Sequence, residues 1–175
     1  MTHEMSQRAA KIRMVMMDLD GVLTDGRIIY GDYGDELKFF DVQDGLGLTL
    51  LHEAGLRTVV ISARKSRINQ RRARELKIGK LYQNIHDKLK MFEKLLKKHK
   101  LQAGEICYVG DDWPDVAPMR RAGFSVAVQN AVDEVKEVAH YVAKKSGGRG
   151  AVRETADVIL KAQGKRDAVA AKYFK

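Results

Sequence analysis

The sequence predicts an α/β fold: a three-layer, Rossmann-like parallel sheet with helices on both faces. Short apolar runs rich in β-branched residues alternate along the chain with helical patterns, as buried parallel strands and their crossover helices do. The length of 175 residues suits one domain with a sizeable core. One segment, residues 27–40, interrupts the alternation after the first strand and has the pattern of a β-hairpin.

The predicted elements follow in order. The first strand is the unbroken apolar run at residues 14–17, and the later strands are predicted at 57–61, 80–82, 106–109 and 125–128. The helical patterns run from Leu46 to a stop at Gly55, over 66–76 and 87–99, from near Pro118, and over 131–138 and 151–160.

Residues 1–175 are therefore expected to form a single domain with three peripheral segments. Residues 1–11 are polar and are predicted to be a loose N-terminal arm, and residues 146–175 are predicted to be a C-terminal loop, helix and tail. The hairpin carries apolar residues such as Ile28 and Phe39, and an isolated hairpin is only marginally stable in water. It is expected either to pack on another subunit or to fold back on its own core.

Composition excludes several classes of protein. The net charge of +9 is spread over predicted helices with no nucleic-acid-binding motif, so nucleic-acid binding is not expected. No apolar run reaches the roughly 20 residues that span a bilayer, and the N-terminus has no signal-peptide pattern. The single cysteine, Cys107, lies within a predicted strand, where it is expected to be a buried hydrophobe. One cysteine cannot form an internal disulfide, which predicts a cytoplasmic protein.

Charged and polar side chains follow the predicted central strands. Asp18 and Asp20 follow the first strand, Ser62 the second and Asp111 the fourth, while Lys88 opens the helix before that strand. Because the carboxyl ends of parallel strands meet at one edge of a sheet, these groups are expected to share one crevice. Clustered carboxylates repel one another, and Mg²⁺ prefers oxygen ligands. Carboxylates, a hydroxyl and an ammonium around Mg²⁺ are the groups that phosphoryl transfer requires.

Four motifs resemble, in order, those of the haloacid dehalogenase superfamily. They are DLDGVLTDG at 18–26, Ser62, Lys88 and GDDWPD at 110–115. More narrowly, FFDVQDG at 39–45, SARKS at 62–66, YQNIHDK at 82–88 and GGRGAVRE at 147–154 resemble the 3-deoxy-D-manno-octulosonate 8-phosphate phosphatases. The resemblance implies a Mg²⁺-dependent phosphatase of the capless type that takes part in lipopolysaccharide synthesis. It also implies a homotetramer whose hairpins help to complete neighbouring sites.

The resemblance assigns a role to each motif residue. Asp18 is the expected nucleophile, and Asp20 the expected acid and base. Ser62 is expected to hold the phosphoryl oxygens, and Lys88 to neutralise charge. Asp111 is expected to bind the metal together with Asp18 and the backbone carbonyl of Asp20.

The expected substrate is a phosphorylated sugar acid, whose carboxylate suits cationic side chains. By resemblance, the substrate-binding residues are Asp20, Asp41, Val42, Gln43, Asp44, Gly45, Arg64, Arg72 and Lys88. Either Arg64 or Arg72 could instead be a surface residue of a helix. The basic, glycine-rich loop at 147–150 is expected to be flexible, with Arg149 reaching a neighbouring site, although Gly147 and Gly148 could equally form the turn that starts a helix. Gln43, Thr49 and Asn84 depart from the family pattern.

Other interpretations remain open at this point. A nine-carbon keto-deoxy sugar phosphate fits the same set of residues, and a non-catalytic scaffold fits the same fold. Ser62 and Asp115 could each be a helix cap, a common position for serine and aspartate. Asp112 and Asp115 could instead orient metal-bound waters or neighbouring loops.

Overall fold

A six-stranded parallel sheet forms the centre of the chain in the computed structural model, which describes residues 2–174. The strand order is β5-β4-β1-β6-β7-β8, and every pair of neighbours is parallel. The strands are β1 Met14–Met17, β4 Arg57–Ile61, β5 Lys80–Tyr82, β6 Ile106–Gly110, β7 Phe124–Ala127 and β8 Tyr141–Val142. The predicted α/β class is confirmed, although β8, a two-residue edge strand, was not predicted.

Eight α-helices surround the sheet in the described chain. They are α1 His3–Ala10, α2 Val42–Glu53, α3 Arg67–Glu75, α4 Lys88–His99, α5 Val116–Arg121, α6 Asp133–Val138, α7 Ala151–Ala162 and α8 Arg166–Ala170. α2 begins earlier than the leucine pattern indicates, because Asp41 caps it and its Oδ1 accepts from the backbone N–H of Gln43 at 2.7 Å. α5 begins at Val116, before Pro118, after a short 3₁₀ turn at Trp113–Asp115.

The prediction of a loose N-terminal arm was wrong. His3–Ala10 is a helix with Thr2 as its cap, and Ala9 is fully buried. The Arg8 guanidinium donates to the backbone carbonyl of Gly123 at 3.1 Å, which ties the helix to the chain before β7. The predicted C-terminal tail also contains an extra helix, α8, whose Val169 is buried. Met1 and Lys175, the ends of the predicted arm and tail, lie outside the described residues.

The predicted hairpin is confirmed, with shorter strands than expected. Ile29–Tyr30 (β2) pairs antiparallel with Glu36–Leu37 (β3) in a separate two-stranded sheet. Between residues 2 and 174, no further domain is inserted between β1 and α2. The helices of this same region also include none that is long and apolar enough to cross a bilayer.

β1 lies in the middle of the sheet, within the hydrophobic core. All four residues of β1 are completely buried between β4 and β6, and Tyr108 and Phe92 are among the largest buried side chains. Cys107 is fully buried in β6, as predicted. Because β1 and its two neighbours end at the same edge, the residues that follow them meet there.

Candidate active site

A buried lysine links two carboxylates at the carboxyl edge of the sheet. The Lys88 ammonium, at the first position of α4, lies 2.8 Å from Asp18 Oδ2 and 2.7 Å from Asp115 Oδ1. Burial alone would lower the pKa of Lys88, but Asp115 and Asp18 outweigh it and raise the pKa above its ordinary value. Lys88 is therefore a fixed positive charge held against Asp18.

Asp18, Asp111 and Asp115 form an acidic cluster. One carboxylate oxygen from each lies within 4.8 Å of the others. Burial raises the pKa of Asp18 to about 7, and Asp115 adds to the shift while Lys88 opposes it. Burial, Asp18 and Asp115 raise the pKa of Asp111 to about 8. Three acids beside one lysine leave excess negative charge, which a divalent cation would neutralise.

The cluster fits a magnesium ion. The Oδ1 atom of Asp111 is buried and has no hydrogen-bond partner among the described residues, so it is free to act as a ligand. Asp115 is different, since its Oδ1 accepts from Lys88 and from the Tyr108 hydroxyl at 2.9 Å, and its Oδ2 from the Asp111 N–H at 3.2 Å. Asp111 thus has a free oxygen for the ion, and Asp18 belongs to the same acidic cluster, while Asp115 fixes Lys88 and the loop that carries Asp111.

Asp112 and Asp115 differ in their surroundings. Asp112 is exposed and accepts from the N–H of Trp113 at 2.8 Å, whereas Asp115 is completely buried. Asp115 occupies the N-cap position of α5, as the sequence allowed, but its side chain makes no cap hydrogen bond there.

The turn after Asp18 is packed against the glycine-rich loop at 147–150. Gly21 has a φ of +97°, and a Cβ there would overlap the Asp111 carboxylate. Gly147 and Gly148 are buried, and the N–H of Gly148 donates to the carbonyl of Val22 at 2.9 Å. These two glycines lie in the turn that starts α7, as the second interpretation of the sequence allowed, and they pack directly on the turn after Asp18. Arg149 is exposed and lies 4.0 Å from Asp25.

We predict that Gly147→Ala displaces the turn that carries Asp18. The new Cβ would overlap the carbonyl oxygen of Gly21, so both chain segments must shift. Overpacking of this kind costs about 3 kcal/mol and should also reduce phosphatase activity. Chemical denaturation with a parallel activity assay measures both effects.

Gly104→Ala is the matched control, because a Cβ added at Gly104 would have no other atom within 4 Å. We expect the control to stay within about 1 kcal/mol of wild type. Equal behaviour of the two variants would show that the contact between the loop and the turn has no structural importance.

Ser62 follows β4 and is buried in the turn before α3. Its hydroxyl accepts from the N–H of Arg64 at 3.1 Å and donates to the carbonyl of Arg64 at 3.2 Å. The helix-cap position belongs to Ser66, so Ser62 does not cap α3. Arg64 is part-exposed and donates to the Tyr30 hydroxyl of the hairpin at 2.9 Å.

Asp20 has a partner that the sequence patterns did not identify. The ammonium of Lys38, whose side chain is fully buried, pairs with Asp20 Oδ1 and donates to Asn69 Oδ1 at 3.1 Å. Asp20 Oδ2 is buried without a hydrogen-bond partner in the described chain. The sequence pattern of the hairpin could have indicated this contact. Charged and apolar residues alternate there, which puts Glu36 and Lys38 on one face and Leu37 and Phe39 on the other.

The predicted substrate-binding segment at 41–45 divides into exposed and buried residues. Val42 and Gln43 are exposed, while Gly45 is buried and faces the Arg72 side chain. Asp44, predicted to bind the substrate, has other partners. Its Oδ2 accepts from Gly150 N–H at 3.1 Å and its Oδ1 from Arg153 N–H at 2.9 Å. Both carboxylate oxygens are used at the start of α7, so this side chain stabilises the helix rather than facing a ligand.

Arg72 lies beside a cleft between the hairpin and α3. Its guanidinium is 5.5 Å from the centre of the Phe40 ring and 3.5 Å from the carbonyl oxygen of Asp41. The cleft has a volume of about 480 Å³, and Lys38 also lines it. Lys38 thus borders the cleft, while its fully buried side chain pairs with Asp20.

Comparisons with known proteins agree with this geometry. The model of the family described as haloacid dehalogenase-like hydrolase matches residues 50–154. The chain belongs to the haloacid dehalogenase-like hydrolases. A 3-deoxy-D-manno-octulosonate 8-phosphate phosphatase from Yersinia pestis is 43% identical over 159 residues, which are 91% of this chain and 85% of that protein. The resemblance found in the motifs is thereby confirmed, and the hydrolase is a phosphoric monoester hydrolase.

Solved structures of related hydrolases have the same fold. One is the 3-deoxy-D-manno-octulosonate 8-phosphate phosphatase of Moraxella catarrhalis in complex with magnesium, phosphate and KDO; it is 42% identical, covers 99% of both chains and has a TM-score of 0.96. Another is the cobalt-bound deoxy-D-mannose-octulosonate 8-phosphate phosphatase of Haemophilus influenzae. It is 37% identical over 97% of this chain and 100% of that chain, with a TM-score of 0.91.

Proposed function

We propose that this hydrolase is a Mg²⁺-dependent phosphatase that converts 3-deoxy-D-manno-octulosonate 8-phosphate into the free sugar acid and phosphate. The observation that carries the proposal is the cluster of Asp18, Lys88 and Asp111, with an unpartnered Asp111 oxygen beside an ion-paired Asp18. The relatives named for this activity, and the one solved with magnesium, phosphate and KDO, support it.

Asp18 is the proposed nucleophile. Its carboxylate attacks phosphorus to give an aspartyl phosphate, and the attack requires no proton removal. Its Oδ1 accepts from the N–H of Leu19 at 2.6 Å and its Oδ2 from Lys88, so the side chain is fixed in one orientation. Lys88 supplies a positive charge that reduces the repulsion between the Asp18 carboxylate and the incoming phosphate.

Asp20 is the proposed acid and base. It protonates the leaving sugar oxygen, and then removes a proton from the water that hydrolyses the aspartyl phosphate. Its buried Oδ2, which has no hydrogen-bond partner among residues 2–174, is the atom available for both transfers. Ser62 and the backbone N–H groups of its turn would hold the phosphoryl oxygens.

Magnesium would be held by Asp18, Asp111 and the backbone carbonyl of Asp20. When bound, it supplies positive charge that polarises the phosphoryl oxygens. The ion would also offset the charge of the neighbouring acids, which adds to the effect of burial in raising the pKa values of Asp18 and Asp111.

The sugar acid is proposed to occupy the cleft between the hairpin and α3. Arg64 and Arg72 are the proposed partners of its carboxylate. Of the residues that depart from the family pattern, Asn84 has a φ of +60°, a conformation that glycine and asparagine both adopt, so this departure need not affect the substrate. Gln43 is exposed, and the Thr49 hydroxyl donates to the carbonyl of Gly45 at 3.2 Å.

A substrate panel tests this assignment and separates it from the nine-carbon alternative. Phosphate release is measured with Mg²⁺ for eight- and nine-carbon keto-deoxy sugar phosphates and for simple hexose phosphates. We expect kcat/KM to be highest for 3-deoxy-D-manno-octulosonate 8-phosphate. A higher kcat/KM for a nine-carbon substrate would identify that sugar phosphate as the substrate. Absence of phosphate release from every compound in the panel would favour the non-catalytic scaffold.

We also infer a homotetramer in which the hairpins complete neighbouring sites. The support is the exposed apolar side chains of the hairpin. Ile29, Leu37 and Phe39 are 40%, 55% and 54% exposed, and Tyr30, which pairs with Glu36 and so lies on the other face, is 69% exposed. Apolar side chains grouped in this way are typical of a surface that another chain covers. A monomer by light scattering at micromolar concentration would contradict the inference.

We also propose a cellular location and a biosynthetic role for the protein. The single cysteine is buried in β6 and cannot form an internal disulfide, which suits a reducing compartment such as the cytoplasm. The resemblance supports a role in lipopolysaccharide precursor synthesis and a single domain over residues 1–175.

A further inference from the structure

We propose that Lys38 is a positioning residue that orients Asp20 for protonation of the leaving sugar oxygen. This inference rests on the proposed function, because it assumes that Asp20 is the acid. It concerns a residue on the hairpin, outside the four motifs that carry the chemistry of the family.

The first step of the argument is the burial of Lys38. Its side chain is completely inaccessible to solvent, although it lies on a hairpin with highly exposed neighbours such as Leu37 and Phe39. A lysine is rarely buried in this way unless its charge is paired. The partners of Lys38 should therefore explain its position.

Those partners come from three parts of the chain. The ammonium pairs with Asp20 from the turn after β1, donates to Asn69 of α3 at 3.1 Å, and lies 3.6 Å from Glu36 Oε1 on the hairpin itself. Asn69 is completely buried, so its side-chain oxygen is held in place. These three acceptors fix the ammonium against one oxygen of Asp20.

Glu36 anchors the same network to the next turn. Its Oε2 accepts from the Ser66 hydroxyl at 2.6 Å, and its Oε1 lies 3.5 Å from the Arg64 guanidinium. Burial alone would raise the pKa of Glu36, but Ser66, Lys38 and Arg64 lower it overall. The hairpin is thus attached to its own chain through charged residues, while its apolar face points outward.

The consequence for Asp20 is geometric. Lys38 occupies Oδ1, and Oδ2 remains buried and unpartnered. A carboxylate held through one oxygen presents the other in a fixed direction, which is what proton transfer to a bound alcohol oxygen needs. In the protonated form of Asp20, the proton goes from Oδ2 to the bridging oxygen as the P–O bond breaks. Asp20 is left ionised beside the Lys38 ammonium, and the aspartyl phosphate remains on Asp18.

Substrates with different leaving groups distinguish this role from a purely structural one. An alkyl phosphate needs an acid at its leaving oxygen, whereas p-nitrophenyl phosphate releases a stabilised phenolate with much less assistance. The kcat/KM value reports the steps up to alcohol release. Loss of positioning should therefore lower kcat/KM for the sugar phosphate much more than for p-nitrophenyl phosphate.

The experiment compares Lys38→Met with wild type on the best alkyl phosphate of the panel and on p-nitrophenyl phosphate. We expect kcat/KM to fall about 10- to 100-fold on the alkyl phosphate and less than about threefold on the aryl phosphate. In an Asp20→Asn background, Lys38→Met should change the alkyl phosphate rate by less than about threefold, because the group that it positions is gone. Lys97→Met, at an exposed position of α4, is the matched control and should leave both rates unchanged.

Equal losses on both substrates, no loss on either, or an effect that persists in the Asp20→Asn background would each overturn the proposal. If Lys38→Met does not fold, Lys38→Gln, which keeps a hydrogen-bond donor, is held to the same criteria. Failure of the proposed function would look different. Wild type would then hydrolyse p-nitrophenyl phosphate or another alkyl phosphate but not 3-deoxy-D-manno-octulosonate 8-phosphate, and the Lys38 comparison would use the alkyl phosphate that it accepts.

Discussion

Asp18→Asn is expected to abolish turnover while the protein stays folded. An amide of the same shape cannot form the aspartyl phosphate, and loss of a covalent nucleophile costs roughly 10⁴-fold or more in kcat. The variant should still bind substrate, because Lys88, Ser62 and the cleft residues are unchanged. Steady-state phosphate release and a thermal unfolding curve test both parts of this expectation.

The stability of Asp18→Asn follows from the direction of the pKa shift. The pKa of Asp18 is about 7 in the folded protein, above the roughly 3.9 of an unfolded aspartate. The free energy of unfolding therefore falls as the pH rises through this interval, because the folded state binds the Asp18 proton more tightly than the unfolded state does. Without metal at pH 8, Asp18→Asn should therefore be at least as stable as wild type.

The matched control is Asp133→Asn, which changes an exposed aspartate at the start of α6. It should keep wild-type activity. Turnover by Asp18→Asn within tenfold of wild type would exclude Asp18 as the nucleophile. Borohydride reduction of wild-type enzyme quenched during turnover should convert residue 18 into homoserine, and the Asn variant should not show this product.

Lys88→Met is expected to remove activity and to destabilise the fold. Methionine fills much of the lysine volume but leaves Asp18, Asp111 and Asp115 without their cation. Removal of one partner from a buried ion pair typically costs about 3–5 kcal/mol. Urea unfolding without metal should show this loss, and Mg²⁺ should restore part of it by supplying positive charge to the same acids.

Lys90→Met is the control for this change. Lys90 lies on the same helix and is exposed, and its side chain makes no ion pair or hydrogen bond in the described residues. It should unfold like wild type and retain activity. A Lys88→Met protein as stable as Lys90→Met would mean that the acids do not depend on Lys88 for charge balance.

The acidic cluster was predictable because it depends on sheet topology. Asp18 and Asp111 each follow a central strand, and parallel strands β1 and β6 are adjacent, so the two residues meet despite their distance in the chain. The position of Lys88 in the third motif predicted that it belongs to the site, and in the structure it lies beside Asp18. The strand patterns were strong because the central strands are buried on both faces.

Most of the parts that were not predicted depend on contacts between separate segments of the chain. Asp44 caps α7 through Gly150, which lies 106 residues further along the chain. Lys38 reaches Asp20 only because the hairpin folds over its own crevice, and the hairpin pattern allowed the opposite orientation equally well. The helix α1 was missed because it buries little more than Ala9, too narrow an apolar stripe for a helical period to stand out.

The most direct test of the central claim is phosphate release from 3-deoxy-D-manno-octulosonate 8-phosphate by the wild-type enzyme, with and without divalent metal. Enzyme treated with EDTA and transferred to metal-free buffer should be inactive, and added Mg²⁺ should restore full turnover, because the cluster of Asp18 and Asp111 requires a cation to accept a phosphate dianion. Turnover that continues unchanged in EDTA, or no turnover of this substrate at saturating Mg²⁺, would contradict the account.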